Sequence, residues 1–279
     1  SSKYLLGRLL TKYIEDIANE YNTRKIMKRD LPERLDKLKL LKLPEQRSQE
    51  WFDMRDKMLT ASSLADALGK GHFKSRDELL IEKSSKEPVP HFSSNITEWG
   101  VKYEPVATLF YEKLNNLSIL EFGLVPHPEF KIFGASPDGI CDVDSPQYYV
   151  GRMLEIKCPP IRKFTKEVPE HYWIQMQGQL ETCDLEECDF LQVKLEEYEN
   201  YDEYKNDIFR DIDDTIKDGT NNLNLPKGST ITYKLNENSN KYNYLYPELY
   251  LSKSSMKKRT KMKTRMEMRT IQAKKVPAI

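Results

Sequence analysis

Glu155 and Lys157 flank Ile156 in the stretch Leu154-Glu155-Ile156-Lys157-Cys158. On a β-strand successive side chains take opposite faces, so this spacing predicts Glu155 and Lys157 on one surface and Leu154 and Ile156 on the buried one. Asp138 stands upstream in the turn Pro137-Asp138-Gly139, and a hairpin through Ser145 to Tyr149 returns it to the side of Glu155. Two carboxylates so placed can hold a divalent cation, and oxygen ligands suit Mg2+ or Mn2+. Such a cation polarises a phosphate and lowers the pKa of a bound water, while a neighbouring lysine orients that water or offsets developing charge. Hydrolysis of a phosphodiester needs these parts.

The Glu-x-Lys pattern alone is common. Glu129-Phe130-Lys131 and Glu203-Tyr204-Lys205 have the same form, and each reads as a solvated face. The apolar lead-in, the Pro-Asp turn upstream and the stop at Pro159-Pro160 set Glu155-Ile156-Lys157 apart. Other metal chemistry is disfavoured. Cys141, Cys158, Cys183 and Cys188 are spaced by 17, 25 and 5 residues, which matches no compact cluster-ligand run. His72, His91, His127 and His171 are scattered singly, without the spacing of a zinc site. Cys158 falls on the buried face and reads as a small apolar filler.

The elements that must position these groups follow from hydrophobic periodicity. A helical N-terminal extension is expected over residues 1–44 (Leu5, Leu9, Ile14, Ile17, Tyr21), broken at Pro32 and closed at Pro44, with the core beginning near Glu45. Helices are expected over Trp51 to Met58, over Leu64 to Leu68 capped by Thr60 to Ser63, over Trp99 to Leu114 and over Glu170 to Thr182. Pro105 must then lie in a first turn or kink its helix. Strands are expected within Leu117 to Val143, over Tyr148 to Cys158 and over Phe190 to Leu195. An acidic helix follows from Tyr201 to Lys217, additions reach 251, and a basic tail over 252–279 reads as disordered or helical.

The formal net charge of zero hides segregation: Glu181 to Asp218 carries fifteen acids against four Lys and Arg, and Lys253 to Lys275 ten bases against Glu267. The tail reads as a solvated segment, a nucleic-acid contact or a nuclear import signal. No apolar run approaches the roughly 18 residues of a membrane span, no leader pattern opens the sequence, and the sparse cysteines point to a reducing intracellular compartment.

Five ordered blocks resemble the YqaJ-like viral recombinase family, which includes the lambda-type exonucleases and belongs to the PD-(D/E)xK nucleases. They are Arg47-Ser48-Gln49-Glu50-Trp51 with Arg55 and Thr60-Ala61-Ser62; Trp99-Gly100 with Tyr103-Glu104; Gly134-Ala135-Ser136-Pro137-Asp138-Gly139; Leu154 through Pro159; and Gln175-Met176-Gln177-Gly178-Gln179. The resemblance runs from about Glu45 to Leu195. It implies an α/β, restriction-endonuclease-like core over 45–200, a mixed sheet flanked by helices. It implies metal ligation by Asp138, Glu155, Glu104 and the backbone carbonyl of Ile156, with Lys157 positioning the water and Gln175 completing the catalytic set. Arg55 and Ser62 would hold a terminal 5′ phosphate. Lys57 departs from the family, which has glycine there.

The implied activity is Mg2+-dependent 5′-to-3′ degradation of double-stranded DNA, leaving 3′ single strands for recombination. A viral origin, action in host cytoplasm or nucleus, a ring-shaped homo-oligomer and a single-strand annealing partner accompany it. The competing readings are a structure-specific endonuclease or junction resolvase and a non-catalytic DNA-binding partner, although all three core residues are present.

Overall fold

A computed structural model describes residues 30–85, 94–161, 164, 167–210, 216–217, 220–223, 225–236, 242–246 and 259–272, with 216–217 and 259–272 described by backbone alone. The helix expected over Tyr4 to Tyr21 lies outside them. Helix α1 (Leu31–Lys39) carries Pro32 at its first turn. There the missing N–H costs nothing, so Pro32 opens a helix instead of breaking one. Its spaced residues Leu31, Leu35 and Leu38 are buried against Met153, Leu180 and Phe190, so the core begins earlier than Glu45. Gly151, at φ 73°, makes that contact possible: a Cβ there would lie 2.6 Å from Leu31 Cδ2.

Helix α2 (Gln49–Asp56) starts where Ser48 Oγ accepts from Trp51 N–H at 3.2 Å. Strand β1 (Leu59–Thr60) and a single 3-10 turn (Ala61–Ser63) lead into α3 (Leu64–Ala67). Helix α4 (Arg76–Ser84) opens on a reciprocal Ser75–Glu78 capping box. Helix α5 (Asn95–Asn115) starts earlier than Trp99 because Ser94 caps it. Pro105 therefore lies in its interior, not its first turn, and denies the Val101 carbonyl its usual partner.

The expected hairpin region becomes four short strands, β2 (Ile119–Leu120), β3 (Val125–Pro126), β4 (Phe133–Ala135) and β5 (Gly139–Cys141), followed by β6 (Met153–Lys157). After α6 (Glu170–Cys183) come β7 (Glu187–Glu197), α7 (Tyr201–Asn206), β8 (Phe209–Arg210), β9 (Ile216–Lys217), β10 (Lys227–Tyr233), β11 (Asn243–Leu245) and β12 (Arg259–Gln272). The fold is mixed α/β. Its main sheet runs β11-β10-β12-β7-β6-β5-β2, with β6 and β7 parallel across the α6 crossover and the other neighbours antiparallel. A small sheet, β1-β4-β3, stands apart. The two faces bury separate clusters: Ile140, Met153, Cys188 and Phe190 under α1 and α6, and Cys141, Leu154, Ile156, Leu191 and Val193 under α5. Among the described residues no helix is long and apolar enough to cross a membrane.

Two expectations beyond Leu195 are corrected. The acidic helix stops at Asn206, because Asp and β-branched Ile and Thr, weak helix formers, dominate residues 207–217. The basic segment is neither disordered nor helical over 259–272: it is a strand inserted between β7 and β10. Its sequence alternates with period two, Arg259, Lys261, Lys263, Arg265, Glu267 and Arg269 against Thr260, Met262, Thr264, Met266 and Met268. Register pairs Arg265 with Lys194, Arg269 with Phe190, and Phe190 with Glu155, which puts the odd-numbered residues on the sheet face of Glu155 and Lys157.

One ion-pair network pins β6 to β7. The Arg152 guanidinium, nearly fully buried, donates to Asp189 at 3.1 Å and Glu187 at 2.8 Å, and the Tyr111 hydroxyl donates to Asp189 at 2.5 Å. Arg152→Ala leaves Asp189 charged in the core, so urea unfolding should show a loss of about 3–5 kcal/mol.

Candidate active site

The β5–β6 hairpin returns Asp138 to β6, where its Oδ2 accepts the Ile156 N–H at 2.6 Å. Glu155 is fully buried. Its Oε1 accepts from Lys157 Nζ and from Gln175 Nε2, the latter at 2.7 Å, and its Oε2 accepts from Gln179 Nε2 at 2.7 Å. Glu104, brought from α5 one residue before Pro105, accepts from Arg47 Nη2 at 3.1 Å. The predicted Asp138, Glu155, Lys157, Glu104 and Gln175 thus come from four elements to one end of the β5–β6 pair.

The electrostatics record their proximity. Burial raises the Asp138 carboxyl well above the usual carboxylate range, and the charges of Glu155 and Glu104 push it further, against Lys157 and the Ile156 N–H. Glu104 is raised by burial and by Glu155, opposed by Arg47 and Lys157. Burial alone would lower the Lys157 pKa, but Glu155 and Asp138 outweigh it and hold the ammonium charged.

This donor set fits a hard cation. Three carboxylates and the Ile156 carbonyl offer oxygen only, and the raised carboxyls mark an excess of buried negative charge. Among the described residues no three Asp, Glu, His or Cys side chains are already gathered into a ligand cluster. Lys157, Gln175 and Gln179 engage Glu155, and Arg47 engages Glu104, so cation binding requires exchange of these partners. Gln179 Oε1 is buried without a hydrogen-bond partner beside them.

Arg55 and Ser62 also meet. Arg55 Nη2 donates to Ser62 Oγ at 3.1 Å, its guanidinium lies 4.4 Å over the Trp51 ring, and Ser62 Oγ lies 3.0 Å from Thr60 Oγ1. Lys83 Nζ donates to the Arg55 carbonyl at 2.7 Å, adding a second cation. Burial lowers the pKa of both Arg55 and Lys83. Lys57 has φ −86° and ψ −6°, an ordinary right-handed conformation, so the turn does not require the family's glycine. A cavity of about 300 Å3 lined by Ser62, His72, Phe73, Lys157, His171 and Gln175 extends from Ser62 to Lys157. A second cleft, about 550 Å3, opens beside Arg47, Glu104 and Asp138.

Three further residues touch these groups without having been assigned a role from the sequence, two of them, Arg47 and Gln179, although they stand in the family blocks. Gln179 lies one helical turn after Gln175, a spacing that could have flagged it. The partner of Arg47, Glu104, is remote in sequence, and Lys83 carried no local signal. The two look-alike motifs lie elsewhere: Lys131 Nζ donates to the Pro128 carbonyl at 2.7 Å, and Glu203 accepts the Glu199 N–H near the start of α7. All four cysteines are buried and free.

Residues 50–186 match the model of the YqaJ-like viral recombinase domain. A curated relative, uncharacterized protein R354 of Acanthamoeba polyphaga mimivirus, is 33% identical over 209 residues, 71% of this chain and 37% of that protein. The chain thus spans well under half of that relative's length. Among solved structures, the alkaline exonuclease LHK-Exo of Laribacter hongkongensis is similar at 27% identity and a TM-score of 0.42, covering 53% of this chain and 74% of that one. A phage-related exonuclease from Haemophilus somnus 129PT is similar at 19% identity and a TM-score of 0.36, covering 51% of this chain and 70% of that one.

Proposed function

We propose that this chain is a Mg2+-dependent exonuclease that degrades double-stranded DNA from 5′ ends and leaves 3′ single strands for recombination. The observation that carries the reading is the buried cluster of Asp138, Glu155 and Lys157, one small cavity away from the Arg55–Ser62 pair. Asp138, Glu155, Glu104 and the Ile156 carbonyl would hold the cation, with Mn2+ able to substitute. When bound, it supplies Lewis-acid polarisation of the scissile phosphate and a water of lowered pKa. Lys157, kept charged by its carboxylate neighbours, orients the attacking water. Gln175 and Gln179 fix the Glu155 carboxylate from two sides. Arg55 and Ser62 grip the terminal phosphate and so set the first phosphodiester at the cluster. A ring-shaped homo-oligomer, a single-strand annealing partner and action inside a virus-infected cell, in cytoplasm or nucleus, belong to the same reading.

End chemistry tests it. Duplex with a 5′ phosphate should be degraded faster than duplex with a 5′ hydroxyl, and Arg55→Ala should remove about ten- to a hundredfold of that preference by deleting a charge-assisted clamp. Arg55→Lys restores charge but not the fork. Lys57 and Lys83 stand near enough to substitute in part, so Arg55→Ala combined with Lys57→Ala is the cleaner probe. Wild-type enzyme indifferent to the 5′ phosphate contradicts the end-gripping role.

The basic strand is the natural extension of the DNA-binding surface. Deleting it would open the sheet between β7 and β10, so charge neutralisation is the better test. Arg265→Gln with Arg269→Gln should flatten the slope of log affinity against log salt by about 0.9 for each phosphate the strand no longer neutralises. An unchanged slope leaves the strand a purely structural element.

A further inference from the structure

Arg47 holds a left-handed backbone, at φ 65°. The other two non-glycine residues in that region among the described residues, Asn116 and Asp184, end α5 and α6, where short polar side chains take it readily. A long side chain ahead of a helix has no such reason, and a backbone held against its preference marks a position that its surroundings fix. Both neighbours fix it here: Gln46 Nε2 donates to the Phe122 carbonyl at 2.8 Å, and Ser48 caps α2. The guanidinium is thereby set with Nη2 3.3 and 3.1 Å from the two oxygens of Glu104, while 35% of the side chain stays exposed.

Arg47 and Glu104 line the cleft of about 550 Å3 that also reaches Asp138, and this cleft shares no lining residue with the cavity at Lys157. Its lining carries four carboxylates, Glu45, Glu104, Glu121 and Asp138, against two cations, of which Lys39 is held by Asp142 at 2.6 Å. A phosphate entering the cleft therefore has Arg47 as its partner. A DNA strand with its 5′ end at Arg55 and Ser62 and its first phosphodiester at the carboxylates must continue past them, and the cleft is the open space beyond. A divalent cation on Glu104 supplies the positive charge that Arg47 otherwise provides, which frees a planar fork whose geometry matches a phosphate.

We propose that Arg47 is a phosphate-binding residue that rests on Glu104 until a cation takes that carboxylate, and then holds the second internucleotide phosphate of the strand being degraded. This rests on the exonuclease reading above. The exchange makes Arg47 a competitor of the cation in the free protein and a clamp on the substrate in the complex, so its removal acts in opposite directions on metal binding and on rate.

The test uses the full chain. Glycine accepts φ 65°, so Arg47→Gly removes the guanidinium without straining the turn. Calorimetric titration of the DNA-free variant should show Mg2+ binding about two- to fivefold tighter than in wild type, the worth of a partly exposed ion pair. On 5′-phosphorylated duplex at saturating Mg2+ its kcat should fall about ten- to a hundredfold, the worth of a charge-assisted hydrogen bond. On a duplex whose second internucleotide linkage is an uncharged methylphosphonate, wild type and variant should be equally slow. Arg47→Lys should bind Mg2+ as wild type does and recover part of the rate, keeping charge without the fork. Weaker or unchanged Mg2+ binding by Arg47→Gly would make Arg47 a brace for Glu104 and overturn the proposal, as would a rate deficit that persists on the methylphosphonate duplex. Wild-type chain that binds no Mg2+ or releases no nucleotide takes down the exonuclease reading itself, whereas wild type and Arg47→Gly that bind and cleave alike remove the role of Arg47 alone.

Discussion

Asp138→Asn and Glu155→Gln should each abolish DNA cleavage in Mg2+ while leaving a folded chain, because each removes an anionic ligand from the proposed cation. The two differ in stability. The raised Asp138 pKa means that its proton stabilises the folded state: this contribution is complete below the unfolded carboxylate pKa and is lost as pH rises through the folded value. At neutral pH without metal, Asp138 is therefore a cost to the fold, and Asp138→Asn should melt higher than wild type. Glu155→Gln should melt lower, because Lys157 loses the carboxylate that faces it in a buried setting. Added Mg2+ should stabilise wild type by about 2.7 kcal/mol at a hundred times Kd and neither variant. Retained Mg2+-dependent cleavage in either variant would remove the metal assignment.

Lys157→Ala should slow cleavage by about 10²–10⁴-fold, the usual worth of a positioned proton-handling group, while the thermal shift with Mg2+ persists. That split separates a lysine that orients water from one needed to build the site. The look-alike Lys131→Ala should be nearly silent, since that ammonium only closes its own turn onto the Pro128 carbonyl. A comparable loss in both variants would mean that general charge, not position, is what Lys157 supplies.

The proposed core of Asp138, Glu155 and Lys157 was legible as a cluster because its signals are local. Period-two alternation placed Glu155 and Lys157 on one face, and the Pro-Asp-Gly turn returned Asp138 to within 2.6 Å of the Ile156 amide. Glu104, Gln175, Arg55 and Ser62 rested on the family blocks, and the structure brings each to a named partner. What escaped was non-local. Leu31, Leu35 and Leu38 looked like an appendage because nothing in their own spacing tells a core helix from an extension. The alternation in residues 259–272 was readable as a strand, yet its high charge suggested a free tail; only the partners β7 and β10 explain its order. His72 and His171 looked solitary because their association is made by tertiary packing between distant segments.

The most direct measurement is a cleavage assay on end-labelled linear duplex and covalently closed circular duplex, each with Mg2+ and with a chelator. Release of nucleotides from the 5′ ends of linear DNA in Mg2+ alone, with closed circles intact, is the predicted result. Nicking or linearisation of closed circles at a rate like that on linear DNA, or cleavage that persists in chelator, would contradict it.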